Sequence, residues 1–341
     1  MASGYSCSMA VVATEEEADQ PLWKKQKLAE EDEEKGVNPL DPRLSDYDPK
    51  QKKYIYTRFF YRSNLDLDQE SPVGPMRYTD RIFREDFQLA NSANVVSVKI
   101  VSSDYGYPLN IYGTIIARDS LDDKCIYLFQ HGKDNCQIIS SKDDSLILTG
   151  PKRGFMVCDA IFFEIDLKIK DVHGRKVKDE RLSKGLIEVD GILRLSYSTT
   201  YEVETETLVS MRSILDLTYI FVRNAVEGTV EVRILEGPGD FHGKFFACGT
   251  SVPCSIMLHD SKVDGILIAG DNGVVQIARP VVGASVDELL LLTIAAAVGG
   301  GDEFSKRVVE FTPRRNSYDE TVITCGNYKI LLKITWSIMY F

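Results

Sequence analysis

The sequence predicts an all-β protein: two tandem, related β-sandwich modules preceded by a disordered acidic N-terminal tail. Three observations predict it. Beyond Asn94, strands with period-two alternation follow one another almost without interruption, turn residues separate most of them at short intervals, and a set of spaced markers occurs twice. At 341 residues, with 44% hydrophobic and 10% aromatic content, the chain is long enough for two such modules and apolar enough to fill their cores.

Residues 1–50 read as the tail. Residues 1–49 hold 12 acidic and 5 basic side chains, so −7 of the formal −11 lies there and −4 on the body. In "QPLWKKQKLAEEDEEKG" Pro21 could start a helix and Gly36 stop it, but Leu22, Trp23 and Leu28 bury too little surface to hold one. The basic clusters "KKQK" (Lys24 to Lys27) and "KQKK" (Lys50 to Lys53) form a candidate nuclear address in a protein otherwise read as cytoplasmic. The opening residues lack the basic start of a secretory signal. The longest apolar run, "LLLLTIAAAV" (Leu289 to Val298), is too short for a membrane span.

Residues 51–94 are transitional. "YIYTRFFYR" is crowded with β-branched and aromatic residues and reads as a strand. "TDRIFREDFQLA" places Ile82, Phe83, Phe87 and Ala90 on one helical face and reads as a short docking helix.

Module one is expected over residues 95–227. In "AIFFEIDLKIK", Ile161, Phe163, Ile165, Leu167 and Ile169 alternate with Phe162, Glu164, Asp166, Lys168 and Lys170, as a strand buried on one face should. "YEVETETLV" alternates likewise, with Val203, Thr205, Thr207 and Val209 opposing Glu202, Glu204 and Glu206. "VVSVKIV", "CIYLF", "SLILT" and "LDLTYIFV" are further strands, and the charged "DVHGRKVKDERLSK" (Asp171 to Lys184) reads as a solvated loop at a hairpin tip. Module two, over residues 228–341, offers "TVEVRIL", "VVEFTP" and "ILLKITWS".

The repeat ties the modules together. "VSVKIVSSDYGYPLNIYGTIIA" matches "VEVRILEGPGDFHGKFFA" as strand, glycine-bearing loop and strand, and Cys125 to Pro151 spans the same 26 residues as Cys254 to Pro280. Each proline opens a Pro-x-x-Gly, closed by Gly154 or Gly283. A corner kept in both copies reads as backbone geometry, with proline fixing φ and glycine permitting the bend. Its charges are not kept: Lys152 and Arg153 face two valines in the twin, which makes this pair a candidate contact for an anionic partner.

Little else suggests chemistry. "LTGPKRGF" has neither the spacing of a phosphate-binding P-loop nor a helix after it, and "GPGDFHG" misses the dinucleotide pattern by one position. There is no Gly-x-Ser-x-Gly and no His-Glu-x-x-His. Seven cysteines without a Cys-x-x-Cys, beside four histidines, read as reduced and mostly buried thiols, not a zinc site. No catalytic residue, metal ligand or cofactor is expected. The body's mildly acidic balance disfavours nucleic acid as a partner. "DLD" (Asp66 to Asp68) leaves a calcium-dependent lipid-binding sandwich as a lesser alternative.

The runs "SVKIVSSDYGYPLNIYGTIIARDSLDDKCIYLF", "SLILTGPKRGFMVCDAIFFEIDLKIKD", "AVEGTVEVRIL", "LHDSKVDG" and "ITCGNYKILLKITWSIM" resemble a plant domain of unknown function abundant in cereal grasses. The resemblance covers about residues 54–341. A similar domain follows a ribosome-inactivating N-glycosidase in the jasmonate-induced ribosome-inactivating protein of barley, which implies a stress or defence setting. An rRNA N-glycosidase link is thus the alternative function, but the Glu-x-x-Arg pair that chemistry uses is absent from this sequence. The expectation is a non-catalytic binding or regulatory protein with an unknown protein or carbohydrate partner.

Overall fold

The computed structural model describes residues 40–59, 66–84, 86–172, 175–197, 202–252, 254–297 and 304–340. The expected tail lies outside them up to residue 39. A hairpin of β1 (Ser45–Asp48) and β2 (Lys53–Tyr56) precedes the modules. Module one comprises β3 (Ser92–Ser103), β4 (Leu109–Arg118), β5 (Ile126–His131), β6 (Gln137–Ile139), β7 (Ala160–Val172), β8 (Arg175–Asp190), the short helix α1 (Gly191–Tyr197), β9 (Val203–Ser210) and β10 (Ser213–Val222). Module two comprises β11 (Ala225–Glu236), β12 (Asp240–Phe241), β13 (Gly243–Gly249), β14 (Ile256–Asp260), β15 (Leu267–Ile268), β16 (Val274–Val275), β17 (Val281–Ser285), β18 (Leu290–Ala297), β19 (Phe304–Phe311), β20 (Tyr318–Cys325) and β21 (Tyr328–Ile338).

The duplication is visible in the pairing. In module one, β3-β10-β9 lies over β5-β4-β7-β8; in module two, β11-β21-β20 lies over β14-β13-β18-β19. Each first strand pairs with the last of its own module; β4 pairs with β5 and β7, and its counterpart β13 pairs with β14 and β18. Two hydrophobic cores result, one containing Phe129, Phe155 and Phe163, the other Phe241, Phe245 and Trp336.

β7 buries Ile161, Phe163, Ile165, Leu167 and Ile169 as its alternation requires, but its other face is covered too. Phe59 stacks on Phe162 with ring centroids 3.7 Å apart. Glu164 accepts hydrogen bonds from Arg118 Nε (2.6 Å), Arg58 Nε (3.2 Å) and the Phe59 N–H (2.8 Å). The transitional region therefore wraps module one.

Several expectations are corrected. In "YIYTRFFYR" the strand covers only Tyr54 to Tyr56, and residues 60–62 lie outside the described ones. "SLILT" forms no strand, only a bridge from Ser145 to Lys99. Most of "DVHGRKVKDERLSK" is no loop: β7 and β8 stay paired out to Val172 and Arg175, with register shifts that bend the extension. β9 is inverted. Glu204, Glu206 and Leu208 turn inward and Val203 and Val209 outward, because Arg194 binds both glutamates and offsets the cost of covering them.

The two Pro-x-x-Gly corners join the modules. Neither Gly154 nor Gly283 has a left-handed φ, so conformational freedom is not why glycine stands there. Space is. A Cβ on Gly154 would lie 2.7 Å from Met339 Sδ and 3.3 Å from Glu227 Cβ; one on Gly283 would lie 2.8 Å from Ser92 Oγ. Each corner thus packs on the first strand of the other module. The Gly154 N–H donates to Glu227 Oε2 (2.6 Å), and the Gly283 N–H donates to Asn94 Oδ1 (2.8 Å) while Asn94 Nδ2 donates back to the Gly283 carbonyl (2.8 Å). Asn94 and Glu227 stand three residues after Asn91 and Asn224, whose carbonyls accept the N–H of Val157 (2.9 Å) and Val286 (3.1 Å). The join therefore approximates a twofold exchange. Arg279, buried beside it, donates to the carbonyls of Gly150 (2.8 Å), Val95 (2.7 Å) and Met257 (3.3 Å).

Candidate binding face

Lys152 and Arg153 go separate ways. Arg153 is 2% exposed and pairs with Asp119 through NH1 to Oδ2 (2.6 Å) and NH2 to Oδ1 (3.0 Å), with Asp122 beyond at 3.3 Å. Its anion lies inside its own module, so the expected contact with an external anionic partner is withdrawn for Arg153. Desolvation opposes its charge, but the hydrogen bonds and the charge of Asp119 outweigh it and hold the guanidinium above its usual range. Lys152 is exposed and pairs with Glu70.

One cluster has the composition of a hydrolytic triad but not its wiring. Ser261 Oγ lies 3.4 Å from His259 Nε2, and Asp264 Oδ2 lies 3.7 Å from His259 Nδ1. Nε2 is also bonded to the Gly265 carbonyl (3.0 Å), and the Ser261 hydroxyl donates to the Phe241 carbonyl (3.2 Å) and accepts from the Gly243 N–H (3.1 Å). The histidine is 2% exposed and locks a turn, so no substrate reaches it. Burial pulls His259 below its ordinary value of 6.5, against the opposing charges of Asp264 and Asp260. A depressed histidine binds its proton more weakly folded than unfolded, so its contribution is complete above pH 6.5 and is lost as the pH falls towards the folded value. His259→Gln should flatten the decline in urea midpoint between pH 6.5 and 5; an unchanged slope would rule the histidine out as its source.

The thiols are less buried than expected: Cys125 and Cys325 are buried, Cys136, Cys248 and Cys254 are half-buried, and Cys158 is exposed. Among the described residues no group of three or more His, Cys, Asp or Glu could hold a metal ion. No helix among them is long and apolar enough to cross a membrane.

The segment from Met76 to Ala90 offers more. Its described residues, all but 85, form not the expected helix but an irregular strap across module two. Tyr78, Phe83, Phe87 and Ala90 pack against the core of that module, while Ile82, expected on the same face, points away and is 91% exposed. The strap is tied at its backbone. Met76 N–H donates to Glu227 Oε1 (2.7 Å), Tyr78 N–H to Ser337 Oγ (3.0 Å), and Ser317 N–H to the Thr79 carbonyl (2.7 Å). Asn316 Nδ2 donates to the Arg81 carbonyl (2.6 Å), and Arg315 NH1 to those of Arg84 (3.0 Å) and Phe87 (2.8 Å). Helix formation would need those carbonyls for its own ladder.

On one side of the strap is an aromatic hollow, where Phe83 meets Phe87 (5.0 Å) and Phe87 meets Tyr340 (5.3 Å), with Arg81 over the Phe83 ring at 5.2 Å. On the other is an open groove of about 650 Å³, walled by Thr79, Asp80, Asn316, Tyr318, Lys333 and Thr335. Lys333 Nζ sits 4.6 Å from the Tyr318 ring centroid. Met76 (φ 58°) and Ser317 (φ 74°), also on this wall, are L-residues held in the left-handed region. Such conformations cost about 1–3 kcal/mol each and persist where the surroundings over-determine them.

Tandem β-sandwiches with an open, polar groove beside the strap define a class: a modular all-β protein. The chain belongs to the family described as a domain of unknown function, DUF6598, which matches residues 92–334. No curated protein matches it. Among solved structures it is similar to extended-synaptotagmin 2 comprising the SMP, C2A and C2B domains, at 9% identity and TM-score 0.26 over 74% of this chain and 57% of that one. It is also similar to the calcium-bound C2A and C2B domains of extended-synaptotagmin 2 (10%, 0.24, 74% and 99%) and to human GIVD cytosolic phospholipase A2 (7%, 0.21, 74% and 30%). At these scores the likenesses carry no argument about site or activity.

Proposed function

We propose that the protein is a non-catalytic binding or regulatory protein acting inside the plant cell in a stress or defence setting, and that the face beside the strap is where it holds its partner. The groove carries this reading: polar groups from the strap, the turn before β20 and β21 converge on one open concavity whose backbone is rigidly tied. The setting rests on the sequence's resemblance to the cereal-grass domain that follows an N-glycosidase in the barley protein. A fold transfers no activity, so the site alone argues for binding.

The test passes extract of stressed plant tissue over immobilised protein and over the Asp80→Ala/Tyr318→Ala variant. Material retained by the first and released by the second is the expected result. Equal retention on both columns would place binding elsewhere.

A further inference from the structure

The groove's chemistry narrows what it can take. Its wall bears one carboxylate, Asp80, and one ammonium, Lys333. With one charge of each sign the wall carries no net charge to draw in an anion or a cation, which suits a neutral ligand.

The remaining groups ask for hydroxyls. Asp80 makes no hydrogen bond or ion pair with any described residue, and its carboxylate has two oxygens free to accept. Asn316 spends Nδ2 on the Arg81 carbonyl and keeps Oδ1. The hydroxyls of Thr79 and Thr335 can each donate and accept. Planar carboxylate and amide groups can bridge neighbouring hydroxyls of a polyol in a way that a lone donor cannot. Tyr318, 53% exposed, adds a ring whose face away from the Lys333 ammonium can take the C–H face of a pyranose, while Lys333 over the other face holds the ring in place. A volume of about 650 Å³ lies inside the range of small-ligand sites, and its open side admits a chain longer than one ring.

The wall is also preorganised. Met76 is fixed in its left-handed conformation by Glu227, and Ser317 by an exchange in which its N–H donates to the Thr79 carbonyl and its own carbonyl accepts the Trp336 N–H (2.8 Å). The same conformation recurs at Lys52, Asp123, Met211 and Asn224, so at Met76 and Ser317 it fixes the wall without by itself marking a ligand site.

We propose that the groove formed by Asp80, Asn316, Tyr318 and Lys333 binds a neutral oligosaccharide. The inference rests on the reading of this face as the binding face. The test is isothermal titration of the full chain with cellopentaose, xylopentaose, laminaripentaose and mannopentaose, and with hexagalacturonate as an anionic counterpart. At least one neutral pentasaccharide should bind, with Kd on the order of 10 μM to 1 mM, and hexagalacturonate should not. Asp80→Ala and Tyr318→Ala should each weaken binding by about tenfold or more, while Lys152→Ala, which is not on the groove's wall, leaves it unchanged. If Asp80→Ala fails to fold, Asp80→Asn and Asn316→Ala take its place.

Binding of none of the four neutral sugars, tighter binding of hexagalacturonate, or binding untouched by the groove variants would each overturn the proposal. If no sugar binds while the extract experiment still retains material through this face, the sugar inference falls and the binding-face reading stands. If both fail, both fall.

Discussion

Asp119→Ala should lower the stability of the protein by about 3–5 kcal/mol, read as a reduced urea midpoint. Asp119 and Arg153 are 0% and 2% exposed, so removing the carboxylate leaves a guanidinium buried without its bidentate partner. Asp119 also accepts the Met156 N–H at 2.8 Å, which would be orphaned as well. Arg153→Met should cost a similar amount for the mirror-image reason. The two changes together should cost clearly less than their sum, because the pair is worth little against its absence but much against its half. A loss under about 1 kcal/mol for either single change would show that water reaches the site and that the pair is not sealed.

Arg279→Ala should be comparably damaging, by about 3–4 kcal/mol, and should change the shape of unfolding as well as its midpoint. Arg279 is buried and has no hydrogen-bonded carboxylate; burial pulls its guanidinium down to about 10, still charged at neutral pH. The charge is held by carbonyls, two of them in module one, Gly150 and Val95, and one, Met257, in its own module. Losing it takes the guanidinium donors from all three and opens a cavity where the modules meet. Calorimetry should show the wild type unfolding in one transition and Arg279→Ala in two, as the modules lose their coupling. One undivided transition at an unchanged temperature would mean that the corners alone couple them.

The strands were legible wherever one physical term decided them. β7 alternates because one of its faces meets a core, and the repeated spacing from cysteine to proline marks equivalent corners of equivalent modules. Legibility failed where distant residues intervened. Ile82, Phe83, Phe87 and Ala90 have helical spacing, but Arg315, some 230 residues later, takes the carbonyls that a helix would use. β9 alternates correctly, yet which face turns inward was decided by Arg194 on α1. The groove was illegible for the same reason. Asp80 lay inside an expected helix, Asn316 lay in a turn 236 residues downstream and Tyr318 at the start of β20 just after it; no local spacing connects them. Arg153 looked like a surface charge because its partner, Asp119, is 34 residues away in sequence.

The exchange at the corners bears on how the two halves came to need each other. Asn94 both gives and receives at Gly283, whereas Glu227 only receives, from Gly154 and Met76. A self-paired module two would set Glu227 against the corner twin that Asn94 now serves, where the returning amide donor is missing. The halves are therefore no longer interchangeable. The difference at this matched position favours pairing of the two unlike modules within one chain over self-pairing of module two, in which the Gly283 carbonyl would lose the donor that Asn94 supplies.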